Sequence, residues 1–283
     1  MKKISKILAL VLIAAMALSL TACNSFEAKL TKAVKQMNEV KNLHMDMSFQ
    51  ISMAMTFMGQ GMDMDLDMDM AADIQKEPRL MSMDMTLSML GMSQQIQQYM
   101  EQTDEGYVMY LSEDGGKSWH KQDVPTTEAQ SQISALDGMG LFLDCAKSFE
   151  EKGEESVLGS AAVRYDGVLE GAYIARAMEL SGAFGTLEET LGLELDEEDM
   201  ENLGGIPTSL WIDKKSGMIV RYEMDMTEVM QSLTGNLVES MLGEYGLEGA
   251  GVSVELSAVV TRATLSNFDQ VGEIVIPDAA RAA

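Results

Sequence analysis

Apolar and polar side chains alternate with a period of two along residues 43–75. The apolar positions are odd-numbered up to Phe57 and even-numbered from Met62 onward. Because successive side chains of a strand point to opposite faces, each run predicts a long strand with one apolar face. The parity changes across Gly59-Gln60-Gly61, which predicts a tight hairpin turn at residues 59–60. The predicted cross-strand pairs, which bring all the apolar residues to one side, are Phe57 with Met62, Met55 with Met64, and Met53 with Leu66.

The same patterns predict further strands and several helices. Strands are predicted at 81–89, 92–100, 107–111, 156–169, 210–213, 218–226 and 252–265. Apolar residues at helical spacing predict helices at 24–41, 127–149, 172–180, 187–203 and 227–241. Long strands twist, so a sheet of such strands should curl rather than lie flat. The predicted fold class is therefore α+β: a long, curved antiparallel sheet, an open half-barrel, with helices covering its concave face.

The first 23 residues have the pattern of an exported lipoprotein. Three lysines precede an apolar run of about 14 residues, which is shorter than the roughly 20 that cross a bilayer. Leu20-Thr21-Ala22-Cys23 follows, and it resembles the lipobox of bacterial lipoproteins, in which the cysteine thiol receives a diacylglyceryl group. The resemblance implies cleavage before Cys23, lipidation at Cys23, and a lipid-anchored place on the extracytoplasmic face of the cell membrane. The alternative is an ordinary secretory signal followed by a chance cysteine.

Composition restricts the remaining function classes. The formal net charge is −25, and residues 1–22 hold three lysines and no acidic residue, so the mature chain would carry about −28. This charge repels phosphate backbones, which excludes nucleic acid as a partner, and it disfavours self-association, so we expect a monomer. Cys145 is the sole cysteine besides Cys23, and the nucleophile-elbow, zinc-protease and phosphate-loop motifs are absent from the sequence. We therefore predict a protein that is not an enzyme and has no cofactor and no metal site.

The order of the elements and two short motifs resemble a known group of bacterial lipoproteins. The motifs are Leu210-Trp211-Ile212-Asp213 followed by Val220-Arg221, and a C-terminal Phe268-Asp269 followed by Ile276-Pro277. With the lipobox, the early helix and the long strands, they resemble the LolA/LolB-like and LppX/LprG-like lipid-carrier lipoproteins. The resemblance implies a curved sheet whose helices close its concave face around an apolar cavity. The predicted organisation is a signal peptide over 1–22, a lipidated N-terminus and short helix over 23–41, one domain of this type over 42–277, and a disordered tail over 278–283.

The methionine-rich apolar face of the first strands is the candidate site. Methionine is flexible and polarisable, so it suits surfaces that accept varied apolar ligands. We predict that this face binds or carries an apolar ligand, a lipid, between sheet and helices. The predicted lining residues are Met45, Met47, Phe49, Met53, Met55, Phe57, Met64, Leu66, Met68, Met70, Met83 and Met85. Two alternatives stay open: a structural or protein-interaction lipoprotein with a filled core and no ligand, and Cu(I) held by thioether sulfurs.

Two acidic motifs receive structural interpretations. The alternating aspartates from Asp63 to Asp69 lack the glycine and glutamate that a calcium-binding loop needs, so they are predicted to form the solvated face of a strand. The segment from Ser112 to Trp119 resembles the Asp-box hairpin of sialidases and other β-proteins. The resemblance implies a structural turn in which the aspartate folds back onto backbone N–H groups and the tryptophan packs beneath it.

Overall fold

A computed structural model describes residues 26–57, 60–124, 146–170, 173, 204–244 and 251–283. Within these residues, eleven strands form one open antiparallel sheet that three helices accompany. The strands are β1 (Asn42–Phe57), β2 (Gln60–Gln75), β3 (Leu80–Met89), β4 (Met92–Thr103), β5 (Gly106–Ser112), β6 (His120–Val124), β7 (Ala146–Val157), β8 (Ser160–Glu170), β9 (Gly205–Asp213), β10 (Ile219–Asp225) and β11 (Ser253–Ser266). The helices are α1 (Phe26–Glu39), α2 (Thr227–Glu244) and α3 (Asp278–Arg281).

The sheet has two wings that meet at its centre. One wing runs outward from β1 to β6, and the other runs outward from β11 back to β7, each in sequence order. The wings join where β1 pairs with β11, from His44 opposite Ser266 to Thr56 opposite Ser253. Within each wing, strands that follow one another in the chain are therefore neighbours in the sheet, as is usual for antiparallel meanders, whereas β6 and β7 are the two edge strands. The predicted fold class, an α+β open half-barrel of long antiparallel strands with helices, is confirmed.

The first hairpin has the predicted faces but not the predicted pairing. Met55 lies opposite Met62 and Met53 lies opposite Met64, so the observed register differs from the predicted one by two residues. The ladder continues to Phe57 opposite Gln60, which leaves Gly61 inside β2 rather than at the turn. A shift of two residues preserves the face of every side chain, because the side-chain period of a strand is also two. The predicted pairing was wrong, while the predicted apolar face is correct.

The main core lies between α1 and the inner face of the sheet. The buried residues of α1 are Leu30, Ala33, Val34 and Met37, at the spacing of one helical face. They pack with Leu43 and Met45 of β1 and with buried residues of the other wing, such as Leu210. Ring stacking fixes the start of the helix, because Phe26 lies parallel to Phe149 of β7 with centroids 4.5 Å apart. The early helix predicted over 24–41 therefore forms, and it holds the two wings together at one end of the strands.

Two sequence predictions are corrected by the structure. Residues 146–149, predicted as the end of a helix, belong to β7, where Ala146 pairs with Leu169. Two register irregularities interrupt β7, so its alternation is not visible in the sequence. The tail predicted as disordered contains α3, in which Ala280 is fully buried and Arg281 binds Glu101 through two hydrogen bonds of 3.0 Å. The other helices predicted within 125–145 and 174–203 lie outside the described residues.

Candidate functional site

The inner-facing side chains of β1, β2 and β3 form one continuous apolar surface, which we call the Met face. "Inner" denotes the side of the sheet on which Met45 and α1 pack together. Its residues are Met45, Met47, Phe49, Ile51, Met53, Met55, Met62, Met64, Leu66, Met68, Met70, Met83, Met85, Leu87 and Met89. The structure thus brings together all the predicted lining residues whose side chains are described. Phe57 ends the same row on β1, and its side chain lies outside the described ones.

Cross-strand pairing arranges the Met face in rows. Successive rows run Met47–Met70–Met85, then Phe49–Met68–Leu87, then Ile51–Leu66–Met89. Neighbouring strands lie about 4.8 Å apart, so the side chains of one row contact one another. On β4 the inner positions opposite Met83 and Leu87 are Gln98 and Gln94. The first polar side chains beside the Met face on this wing therefore come from β4.

Burial changes systematically along the Met face. At the end covered by α1, Met45 is 3% exposed and lies in the core. The middle of the face, including Phe49, Met68 and Leu66, is half-buried. At the end farthest from α1, Met62 is 52% exposed. The face is therefore filled core at one end and open at the other, and Met45 belongs to the core rather than to the predicted lining.

Four residues of the Met face, although on the predicted apolar face, were not among the predicted lining residues. Ile51, Met62, Leu87 and Met89 have the same parity as the predicted residues on their strands, so the alternation itself was the signal that could have found them. Met47, Met70 and Met83 still pack against the core, which makes them the border between its filled and open parts. The less buried part of the Met face, which we call its open part, therefore begins beyond these three residues.

The opposite, outer face of the same strands is acidic. Asp63, Asp65, Asp67 and Asp69 are all exposed there, as predicted for a solvated strand face. A depression of about 380 Å³ on this side has Asp46, Asp69 and Asp84 in its lining. Carboxylates are costly to bury against an apolar ligand. The depression is thus unsuited to the predicted ligand, and the apolar chemistry stays on the Met face.

His44 bridges two carboxylates on this acidic face. Its Nδ1 lies 2.7 Å from an oxygen of Asp73, the residue opposite His44 on β2. Its Nε2 lies 3.3 Å from an oxygen of Asp46. Burial by itself would lower the pKa of His44. The two carboxylates accept hydrogen bonds from the ring and attract its positive charge, and together these effects outweigh burial and raise the pKa above 6.5. Protonated His44 therefore stabilises the fold below pH 6.5, and this contribution is lost as the pH rises through the raised pKa.

The Asp-box-like segment after β5 forms the predicted structural turn. Asp114 accepts hydrogen bonds from the Ser118 hydroxyl (2.6 Å) and from the backbone N–H groups of Ser118 and Lys117. These bonds, with one from Ser112, hold the pKa of Asp114 well below its usual range. The Trp119 indole donates to the Gly116 carbonyl and its ring lies against Tyr99. All partners of the aspartate are local, which is what a turn requires.

The Leu210–Asp213 motif is also structural. Trp211 is buried on the outer face, where its indole N–H donates to Glu155 (2.8 Å) and two guanidinium groups, of Arg164 and Arg221, lie 5.1 and 5.7 Å from its ring. Asp213 caps the following turn by accepting from the backbone N–H of Ser216. This motif therefore fixes the β9–β10 hairpin and lies on the side of the sheet away from the Met face.

Within the described part of the chain, no group of three or more His, Cys, Asp or Glu side chains is arranged to hold a metal ion. In the same residues, no helix has both the length and the apolarity to cross a membrane. Cys23 and the predicted signal peptide precede the described residues.

Comparisons with known proteins cover most of the chain. Residues 25–154 match a family of unknown function, DUF6612, and this stretch contains the whole wing from β1 to β6. Comparison with the curated proteins gives no match. Among solved structures the chain is similar to lipoprotein LppX of Mycobacterium tuberculosis, with 10% identity over 88% of this chain and 97% of that one and a TM-score of 0.46. It is also similar to LprF of Mycobacterium bovis, with 15% identity over 90% of this chain and 96% of that one and a TM-score of 0.49. A third similar structure is a putative outer membrane lipoprotein-sorting protein domain of Vibrio parahaemolyticus, with 7% identity over 84% of this chain and 91% of that one and a TM-score of 0.20.

LppX and a lipoprotein-sorting domain, which are of the kind that the sequence resembles, are among these matches. With TM-scores below 0.5, the likeness says nothing of a ligand for the present chain.

Proposed function

We propose that this chain is a non-catalytic lipoprotein, anchored through Cys23 to the extracytoplasmic face of the cell membrane, whose Met face binds or carries a lipid. The observation that carries the proposal is the gradient of burial along the Met face. The end under α1 is close-packed, whereas the middle and the far end remain half-buried or exposed. Extended apolar surface that a protein leaves uncovered usually has a partner.

The chemistry of the Met face suits the acyl part of a lipid rather than a polar head group. Every inner position of β1 from residue 45 to 55, of β2 from 62 to 74, and of β3 from 81 to 89 is apolar. No charged side chain of these strands points inward, so a charged ligand group would lose its hydration without compensation there. Gln94 and Gln98 at the β4 border offer hydrogen bonds to a neutral polar group. A long apolar chain with its polar end toward β4 fits this distribution.

The proposed anchor lies close to the fold. Cys23 comes three residues before Phe26, so the chain between their Cα atoms can span at most about 11 Å. Phe26 is held by its stacking on Phe149, and Lys29 of the same helix binds the Tyr165 hydroxyl at 2.8 Å. Acyl chains on Cys23 would therefore keep the β7 side of the sheet near the membrane, and at least two chains are needed for firm retention.

The experiment is ligand binding by the chain from residue 24 onward, which holds every described helix and strand. A fluorescent fatty acid is titrated into the wild type, Met68→Gln and Asp67→Asn. Met68 and Asp67 are neighbours on β2 with opposite faces, so Asp67→Asn is the matched control. We expect Met68→Gln to weaken binding about tenfold or more, since it places an amide on the apolar face, and Asp67→Asn to leave binding unchanged.

Two results would contradict the proposal. One is a wild type that binds no fatty acid and carries no extractable lipid, which is the result expected of a structural lipoprotein with a filled core. The other is equal binding by Met68→Gln and the wild type. A Cu(I) titration of the same proteins tests the thioether alternative, because tight Cu(I) binding without fatty-acid binding would favour it.

A further inference from the structure

The turn between β3 and β4 has an unusual residue in a left-handed conformation. Leu90 and Gly91 are the two central residues of this hairpin, with φ values of 52° and 76°. Two positive φ values define the type I′ turn, in which asparagine followed by glycine is strongly favoured. A leucine is sterically disfavoured there. The chain nevertheless keeps a leucine, and its side chain is 56% exposed, so neither backbone preference nor burial explains its presence.

Two further exposed apolar side chains lie at the same end of the sheet as Leu90. Met92, directly after the turn, is 66% exposed, and Met62 on β2 is 52% exposed. Met89 pairs with both Met92 and Leu66, and Met62 lies four residues beyond Leu66 on the same face, roughly 13 Å along the strand. We call Met62, Leu90 and Met92 the hairpin tip. The hairpin tip therefore continues the open end of the Met face into solvent.

A second hairpin shows that an exposed leucine with positive φ does not by itself indicate a binding surface. Leu158 and Gly159, between β7 and β8, have φ values of 49° and 83°, and Leu158 is 66% exposed. This turn lies at the opposite end of the strands, since Ala162 just after it pairs with Asp213. The residues near it are polar or buried, since Ser156 and Ser160 are exposed serines and Val157 is buried. What distinguishes Leu90 is its exposed methionine neighbours and its place at the mouth of the Met face.

The segments that form the hairpin tip carry no charge. Between Asp84 and Glu101, and again between Asp46 and Asp63, the sequence contains no charged residue, although 23% of the whole chain is charged. The turn from Leu90 to Met92 can therefore enter an apolar medium without desolvating an ion, and Asp63, next to Met62, points to the outer face. The residues that bound these two segments, Asp46, Asp63, Asp84 and Glu101, are all acidic, and the chain as a whole is negative. A second copy of this chain and an anionic bilayer would both be repelled.

We propose that the hairpin tip inserts into the surface of an electrically neutral lipid bilayer, and that the Met face exchanges its ligand with the membrane there. The exchange rests on the proposed function, whereas the insertion can be measured by itself. Leu90, Met92 and Met62 supply the inserting side chains, and the uncharged strand ends around them lie at the membrane surface. Interfacial binding of this kind grows with the apolar area inserted, so loss of a single leucine should be measurable.

The experiment is flotation of the chain from residue 24 onward with phosphatidylcholine vesicles, with Leu90→Asn and Leu158→Asn as a matched pair. Both substitutions replace an exposed leucine in the same turn conformation by the residue that this conformation prefers. Both variants should therefore keep or raise the wild-type melting temperature. We expect Leu90→Asn to lower vesicle binding at least about fivefold, Leu158→Asn to leave it unchanged, and phosphatidylglycerol in the vesicles to weaken it for every protein.

The outcomes separate this proposal from the proposed function. Fatty-acid uptake from free solution by a wild type that does not float with vesicles would overturn the insertion alone. Vesicle binding that depends on Leu90 in a protein that takes up no fatty acid would support insertion and contradict the ligand. Equal loss of flotation in Leu90→Asn and Leu158→Asn would overturn the assignment to the hairpin tip. If the wild type does not float but sediments as a dimer, and Leu90→Asn dissociates this dimer, the partner is a second copy of the chain. That result would also overturn insertion into a bilayer.

Discussion

Met45 and Met68 are the same residue type on the same face of neighbouring strands, yet they should respond differently to truncation. Met45 is 3% exposed and packs in the core with α1, whereas Met68 is half-buried in the open part of the Met face. If the open part accepts a ligand, Met45→Ala should lower the free energy of unfolding much more than Met68→Ala. Only Met68→Ala should weaken ligand binding.

The expected magnitudes follow from burial. Removing a fully buried methionine side chain costs about 2–5 kcal/mol, which combines the lost transfer free energy and the cavity that remains. Met45 should show this full cost, because it is enclosed by α1 and the sheet. If the open part accepts a ligand, truncation of the half-buried Met68 leaves no closed cavity. The loss is then limited to part of the transfer free energy, about 1 kcal/mol.

Urea denaturation of the chain from residue 24 onward measures both values. The buried Trp211 and the half-buried Trp119 lie in opposite wings and report unfolding by fluorescence. Coincident transitions from fluorescence and circular dichroism establish two-state behaviour, after which linear extrapolation gives the free energies. Fluorescent fatty-acid affinity is measured on the same samples.

One combination of stability and affinity results would refute the claim that part of the Met face is open. If Met68→Ala costs as much free energy of unfolding as Met45→Ala and leaves fatty-acid affinity unchanged, the Met face is closed core throughout. The gradient of burial would then reflect ordinary surface exposure rather than a ligand site. A small loss at both positions would instead show that α1 does not seal the covered end.

Three further predictions concern the anchor, the acidic face and the C-terminal helix. Cys23→Ala in the full-length protein should abolish lipidation and release it from membranes, so detergent partitioning like that of the wild type would refute the anchor. The stability difference between the wild type and His44→Gln should shrink as the pH rises above 6.5, and a difference that does not vary with pH in thermal melts would contradict the raised pKa. Arg281→Ala should cost about 1 kcal/mol or less, because the Arg281–Glu101 pair is partly solvated, and deletion of residues 278–283 should cost more in urea denaturation.

The sequence predicts the faces of the sheet well, because alternation is a local property. Each side chain from residue 43 to 56 occupies the predicted face. The pairing of the first hairpin was wrong by two residues because moving a two-residue loop by one position shifts every pair by two residues and keeps every face, so the alternation allows both registers. β7 was partly assigned to a helix because its irregularities break the alternation on which strand prediction depends.

Burial along the Met face could not be predicted in the same way. Met45 and Met68 have indistinguishable sequence surroundings, each a methionine in an alternating run that contains aspartates. Their difference arises because α1 packs over one end of the strands, which is a tertiary contact between residues far apart in the chain. The order of the C-terminal tail has the same origin, since Ala280 and Arg281 are held by β4 and β5. Leu90 would not be predicted as a turn residue either, because leucine disfavours positive φ.

Native mass spectrometry tests the central claim most directly. The chain from residue 24 onward, exported behind a cleavable signal peptide and purified without detergent, has no covalent anchor, so any added mass is bound ligand. We predict a population whose mass exceeds that of the polypeptide by one lipid, reduced in Met68→Gln and unchanged in Asp67→Asn. A single species at the polypeptide mass for the wild type, with no lipid in an organic extract of the same sample, would contradict the claim that the Met face holds a lipid.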